Sequence, residues 1–265
     1  MNIRDGFAAL ITVFTFSLGS ITGDAAVIIT GSTLDATPPQ DSSFPADGIG
    51  DSVQDLNKVS LIVGAFNTPG QPSRRSAVFV FNLPTLPVGA QLGDATFSAR
   101  LFAKQNTVNI NYNVDLYALR ISDPTDGNPA DDAVLASDYG AGVSPSGTLL
   151  QDNWVTLASS TTRIQTDATA DGTLLTFLQN NWVDGGRLFL RANADTIDFN
   201  TSGVGTLFAG FEFGSSEHPS ANDHPELELH FIVPEPSISG LIMLGALIIS
   251  LRKRFHGRPF AQHGA

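Results

Sequence analysis

The chain has 265 residues, no cysteine, and 26 acidic against 14 basic side chains, for a net charge of −12 at neutral pH. The missing thiols exclude disulfides, a thiol nucleophile and a thiolate metal site. The acid excess repels nucleic acid and anionic lipid but tolerates divalent cations and neutral glycans.

Residues 1–26 read as a secretory signal peptide. Arg4 supplies the positive start, although Asp5 beside it is atypical, and residues 7–21 form an apolar run of the expected length. Gly23-Asp24-Ala25-Ala26 offers small residues to signal peptidase. Cleavage after Ala25 puts Gly23 at the −3 position, whereas cleavage after Ala26 puts Asp24 there, a poorer fit. The alternative is a short core helix at the N-terminus.

Residues 27–232 then suffice for one well-buried domain and are too few for two. Short apolar or alternating runs at 59–66, 77–82, 95–104, 110–120, 154–158, 187–192, 207–213 and 226–232 predict strands. Weaker runs occur at 27–30 and 133–137. Phe97, Ala99, Leu101 and Ala103 share one face, as do Tyr112, Val114, Leu116 and Ala118, and again Leu227, Leu229 and Phe231. Such alternation belongs to antiparallel sheets packed face to face with one wet side. Val78-Phe79-Val80-Phe81 is apolar on both faces and suits a central strand. The apolar residues Leu174, Leu175, Phe177, Leu178 and Trp182 recur at helical spacing, which predicts a short helix over 173–181 capped by Asp171 or Thr173. Residues 37–55, 122–132 and 139–147 read as loops.

No motif selects an enzyme: G-x-S-x-G, H-E-x-x-H, a P-loop and a dinucleotide fingerprint are all missing, and no spacing singles out a carboxylate pair. Calcium is the best cation candidate. Asp123, Asp126, Asn128 and Asp131, around Gly127, supply oxygens and a turn, without the pattern of an EF-hand; the plain alternative is a solvated acidic loop. His218, Asp223 and His224, near Glu217, hold zinc only if they converge, and otherwise serve as polar turn residues. Trp154 alternates against Val155 and Leu157 and is the candidate exposed platform for a sugar ring, whereas Trp182 lies in register with the apolar helix face and reads as core.

The C-terminal residues 233–265 carry the most specific signal. Val233-Pro234-Glu235-Pro236-Ser237 precedes an uncharged apolar run over 238–251, followed by Arg252-Lys253-Arg254. The prolines make a stiff, extended spacer. The apolar run reaches only ~21 Å as a helix, short of a ~30 Å hydrocarbon core, but its basic flank anchors the end on the cytoplasmic side. This order resembles the PEP-CTERM sorting signal, recognised by a membrane-embedded protease-transpeptidase, an exosortase. The resemblance implies a temporary transmembrane anchor, cut near Pro234-Glu235-Pro236, on a protein destined for the cell surface or the extracellular space and associated with exopolysaccharide and biofilm. The extension 255–265 beyond the basic cluster departs from most such tails. An ordinary permanent anchor is the alternative.

Within the domain, Arg74-Arg75-Ser76-Ala77-Val78-Phe79-Val80-Phe81-Asn82-Leu83-Pro84 resembles the R-x-x-hydrophobic-x-F-x-L-P strand of DNRLRE-type modules. Residues 86–90 with 97–101, and 213–217 with 225–229, resemble their following and closing strands. Val114-Asp115-Leu116-Tyr117 and residues 134–139 resemble exported PEP-CTERM proteins of planctomycete-like bacteria. These resemblances imply an all-β, antiparallel jelly-roll-like sandwich with one short helix, flanked by a signal helix and a transmembrane helix. The function they imply is that of a non-enzymatic envelope or matrix protein, with a carbohydrate-binding module, calcium-dependent or not, as the alternative. The expected partners are signal peptidase, exosortase and exopolysaccharide, with membrane contact only through the transient tail.

Overall fold

A computed structural model describes residues 22–30, 39–41, 52–53, 59–68, 71–106, 112–129, 131–140, 146–195 and 207–234. The chain divides into a unit spanning Asp24–Val233 and a second comprising residues 1–23 and 234–265. Nearly all of the second lies outside the described residues, as does the expected apolar segment 238–251. Among the described residues no helix is long and apolar enough to cross a membrane.

The strands are β1 (Thr22–Thr30), β2 (Pro39–Asp41), β3 (Ser52–Val53), β4 (Ser60–Thr68), β5 (Gln71–Arg75), β6 (Ala77–Asn82), β7 (Gln91–Asn106), β8 (Val114–Ser122), β9 (Thr148–Val155) and β10 (Arg163–Gln165). Helix α1 (Ala168–Asn181) follows, then β11 (Arg187–Ala194), β12 (Leu207–Gly214) and β13 (Glu226–Pro234). The larger sheet runs β1-β13-β7-β12-β4-β5-β2-β3, with β10 added to β7; the smaller runs β6-β11-β8-β9. Four of the antiparallel pairings are nested: β8 pairs β9, β7 pairs β10, β6 pairs β11 and β4 pairs β12. The chain therefore folds as one long hairpin, whose successive rungs fall alternately on the two sheets.

The alternation read from the sequence sets the faces. Phe97, Leu101, Leu116, Leu188, Leu190, Leu227 and Leu229 are fully buried in a single cluster. Aromatic rings fill the space between the sheets: Phe79 of β6 lies 5.1 Å from Phe97 of β7, and Phe213 of β12 meets Phe79 edge-on at 6.1 Å. β6 is buried on both faces, with Phe79 and Phe81 in the main core and Val78 and Val80 in a second cluster with Val134 and Phe189.

Several expected boundaries move. The helix starts before Thr173: Asp167 Oδ1 accepts hydrogen bonds from the N–H groups of Thr169 (3.0 Å) and Ala170 (2.9 Å), so Asp167 is the cap rather than Asp171 or Thr173. Ala170, Leu174 and Leu178 form its buried stripe, one turn apart. The strand expected at 154–158 lies instead at Thr148–Val155, and 133–137 contains no strand but leads into a 3₁₀ turn at Ala136–Asp138. The loop expected over 37–55 contains β2 and β3. The polar β5 and the short β10 carry no alternation of their own; they form because β4 and β7 offer them backbone partners.

Candidate functional site

The expected cleavage residues Ala25 and Ala26 lie in β1, beside β13 in the larger sheet. Val233 and Pro234 end β13, and Val233 packs against the main core. Glu235, Pro236 and the basic Arg252, Lys253 and Arg254 lie outside the described residues.

The acidic loop is organised by local turns. Asp123 Oδ1 accepts hydrogen bonds from Thr125 N (2.8 Å) and Thr125 Oγ1 (2.6 Å), which hold its carboxyl below the usual carboxylate range. Asp126 Oδ1 accepts from Asn128 N at 2.6 Å. Asp131 presents its main-chain carbonyl to Arg120 Nε at 3.2 Å, and the Oδ1 atoms of Asp131 and Asp132 are buried with no hydrogen-bond donor among the described residues. Arg120 also donates to Ala133 O and forms a bidentate pair with Asp138, so the cation around which this segment turns is a guanidinium. Among the described residues, no group of three or more His, Asp or Glu side chains is placed to hold a metal ion. The same holds for the histidine loop. There His218 Nδ1 lies 3.4 Å from Asp223, but His224 Nε2 is directed to the main-chain oxygen of His218 at 2.7 Å. Arg100 and Arg163 pin this loop to the sheet through Asp223, His224 O and Glu226. Its returning chain runs so close that a Cβ on Gly214 would lie 2.1 Å from Asp223 O.

Trp154 is not a surface platform. It is 4% exposed, stacks on Phe213 at 5.3 Å and 11°, and lies 5.4 Å from Phe97. The cause is a bulge that period-2 reading does not anticipate. Val114 pairs with Val155 and Leu116 with Gln151, so one residue of β8 faces three of β9. Asn153 takes a positive φ of 54°, and its N–H donates to Asp115 Oδ1 at 2.9 Å. Trp154 and Val155 consequently both turn inward.

Trp182 packs against the main core, as its register with the helix face predicts, and part of it also reaches the surface. Half-buried, it lines a groove of about 330 Å³ with Leu86, Gln91, Leu92 and Gln179. One oxygen, Asp184 Oδ1, accepts from both Trp182 Nε1 (2.9 Å) and Leu86 N (3.0 Å), tying two walls together. Gln179 Nε2 donates to Leu92 O at 2.9 Å and ties the helix to β7. A second recess of about 430 Å³ runs along α1, lined by Thr148, Thr169, Thr173, Thr176 and their neighbours. The hydroxyls of Thr173 and Thr176 donate to carbonyls of their own helix, which leaves that recess fewer donors.

On the outer face of the smaller sheet, Arg191 is fully buried. Its guanidinium donates to Asn193 Oδ1 (3.0 Å), Asp138 O (3.2 Å) and Ser146 O (2.5 Å), and lies over the Tyr117 ring at 5.1 Å. Gly140 permits this: a Cβ there would stand 2.6 Å from Arg191 Cζ. Burial pulls the arginine down to about 10. Beside it, burial pushes Asp115 up to about 6, against the Asn153 N–H bond, with Asp152 and Asp195 adding repulsion. A raised carboxyl can mark a catalytic acid, but Asp115 lines neither groove, and its bond to Asn153 serves the bulge.

No family model and no curated protein matches this chain.

Proposed function

We propose that this is an exported cell-envelope protein without enzymatic activity, delivered through signal peptidase and then an exosortase to the cell surface or the exopolysaccharide matrix. The observation that carries this reading is the ordered tail: Pro234-Glu235-Pro236, the apolar run 238–251, then Arg252-Lys253-Arg254. β13 ends at Pro234, so a cut near the prolines leaves β13 in the sheet, whereas a signal-peptidase cut after Ala25 or Ala26 falls within β1 and leaves its second half beside β13. The nested pairing of β8–β9, β7–β10, β6–β11 and β4–β12 supports a jelly-roll reading of the domain, because a wrapped long hairpin is how that fold is built. Jelly rolls serve many functions, so the fold supports export and display only as a stable, disulfide-free carrier.

The test is mass spectrometry on protein released from the native host. The mature form should lack the residues after the Pro-Glu-Pro motif. Glu235→Ala, or deletion of residues 252–254, should leave unprocessed protein in the membrane. Surface-released wild-type protein that is intact through Ala265 would refute the sorting reading.

A further inference from the structure

We propose that the groove between Trp182 and Leu92 is a binding site for one neutral pyranose unit of a glycan. This goes beyond the sorting reading and does not depend on it.

The recess is held open by hydrogen bonds. Asp184 Oδ1 fixes the indole edge of Trp182 and the backbone of Leu86 at once, and Gln179 fixes the third wall to Leu92 O. Phe231 meets the Trp182 ring edge-on at 6.2 Å. The indole is therefore oriented before any ligand arrives, which lowers the ordering cost of binding. The lining chemistry is that of a sugar ring. The Trp182 ring and two leucines offer apolar surface to the C–H face of a pyranose, and the amide of Gln91 with the side-chain oxygen of Gln179 suits its hydroxyls. At about 330 Å³ the groove takes one ring or two, not a long chain. Charge decides which sugar. No lining residue is ionisable, Asp184 stands beside the groove, and the whole chain carries −12, so a uronate is repelled and a neutral hexose is not.

The chain has two tryptophans, so Trp154→Phe makes Trp182 the sole indole reporter. Full-length Trp154→Phe protein is titrated with neutral glucose, galactose and mannose disaccharides, with a glucuronate-containing disaccharide, and with N-acetyl-leucinamide. Expected is a saturable change in Trp182 emission with at least one neutral disaccharide, with dissociation constants on the order of millimolar. The uronate should bind at least about tenfold more weakly, given like-charge repulsion. Gln91→Ala sits on the exposed rim and should fold normally; it should weaken binding about fivefold, the loss of one hydrogen bond. Trp182→Ala, followed by saturation-transfer NMR, should abolish it. Silence toward every neutral sugar overturns the proposal, as does undiminished binding by Trp182→Ala. Equal affinity for the uronate overturns the charge argument, and saturation by N-acetyl-leucinamide instead of sugars shows a pocket for an apolar side chain.

Discussion

Truncating Trp154 separates a core residue from a surface platform. Its ring is 4% exposed and touches Phe213, Phe97 and Phe79 across the two sheets. Trp154→Ala removes that ring from a packed interior and should cost about 3–5 kcal/mol. At roughly 2–4 °C per kcal/mol for a domain of this size, the melting temperature should fall by about 6–20 °C. Trp154→Phe is the informative partner. The indole Nε1 is buried with no hydrogen-bond acceptor among the described residues, a penalty of about 1–3 kcal/mol that phenylalanine removes. The smaller ring gives up a similar amount of packing, about 1–2 kcal/mol. The net change should lie within about 1 kcal/mol of zero. Urea unfolding of full-length protein, read as a midpoint shift at constant slope, measures both. An alanine variant as stable as wild type would place the ring in solvent and refute the packing argument. A phenylalanine variant as damaged as the alanine one would mean that Nε1 has an acceptor.

Two further outcomes follow from the outer face of the smaller sheet. The folded-state pKa of Asp115, about 6, lies above the ordinary carboxyl value of 3.8, so between those pH values the folded chain holds more protons than the unfolded one. Its contribution is full below pH ~4 and is lost as pH rises through ~6; Asp195, also raised by burial, acts in the same sense. Asp115→Asn should therefore gain melting temperature over wild type at pH 7.5 and gain less, or nothing, at pH 4.5; a pH-independent difference would remove the linkage. Arg191→Lys keeps the charge but not the fork that reaches Asn193, Asp138 O and Ser146 O, so stability should fall by at least ~2 kcal/mol and limited proteolysis should begin near Ser146. A lysine variant within 0.5 kcal/mol of wild type, a bound of about half a hydrogen bond, would show that the fork is dispensable.

What the sequence made legible was periodicity. Phe97, Leu101, Leu116, Leu227 and Leu229 face inward because regular strands alternate, and Leu174 and Leu178 because a helix repeats every 3.6 residues. What it hid was every place where a neighbour overrides the local pattern. The bulge at Asp152–Asn153 depends on Asp115, 38 residues away from Asn153, and it turned Trp154 inward. Trp182 follows the last helical residue as the C-cap; it packs against the core as its spacing places it, while Asp184, which the spacing does not reveal, holds its indole N–H. β10 is three residues long and exists only as a partner of β7. Arg191 reads as an ordinary outward residue of an alternating strand, and its burial shows only where Asp138, Gly140 and Ser146 meet it.

The arginines connect these details to the partner. A cysteine-free domain must fasten its long loops by other means, and here the guanidinium fork does so: Arg120 gathers the segment around Asp131–Asp138, Arg187 donates to Asp132 O, Arg191 holds Asp138 and Ser146, and Arg163 holds the 222–226 turn. Lys104 does the same for Leu157 O and Ser159 O. Positive charge is thereby directed to main-chain oxygens and buried carboxylates, while carboxylates such as Asp126 and Asp184 remain on the surface. A polyanion such as nucleic acid or a uronate polymer needs a row of available cations. In this domain the arginines and lysine just named already have partners. The same use of charge replaces disulfides as loop fasteners, and it accords with the proposal that the Trp182 groove takes a ligand that needs no cation.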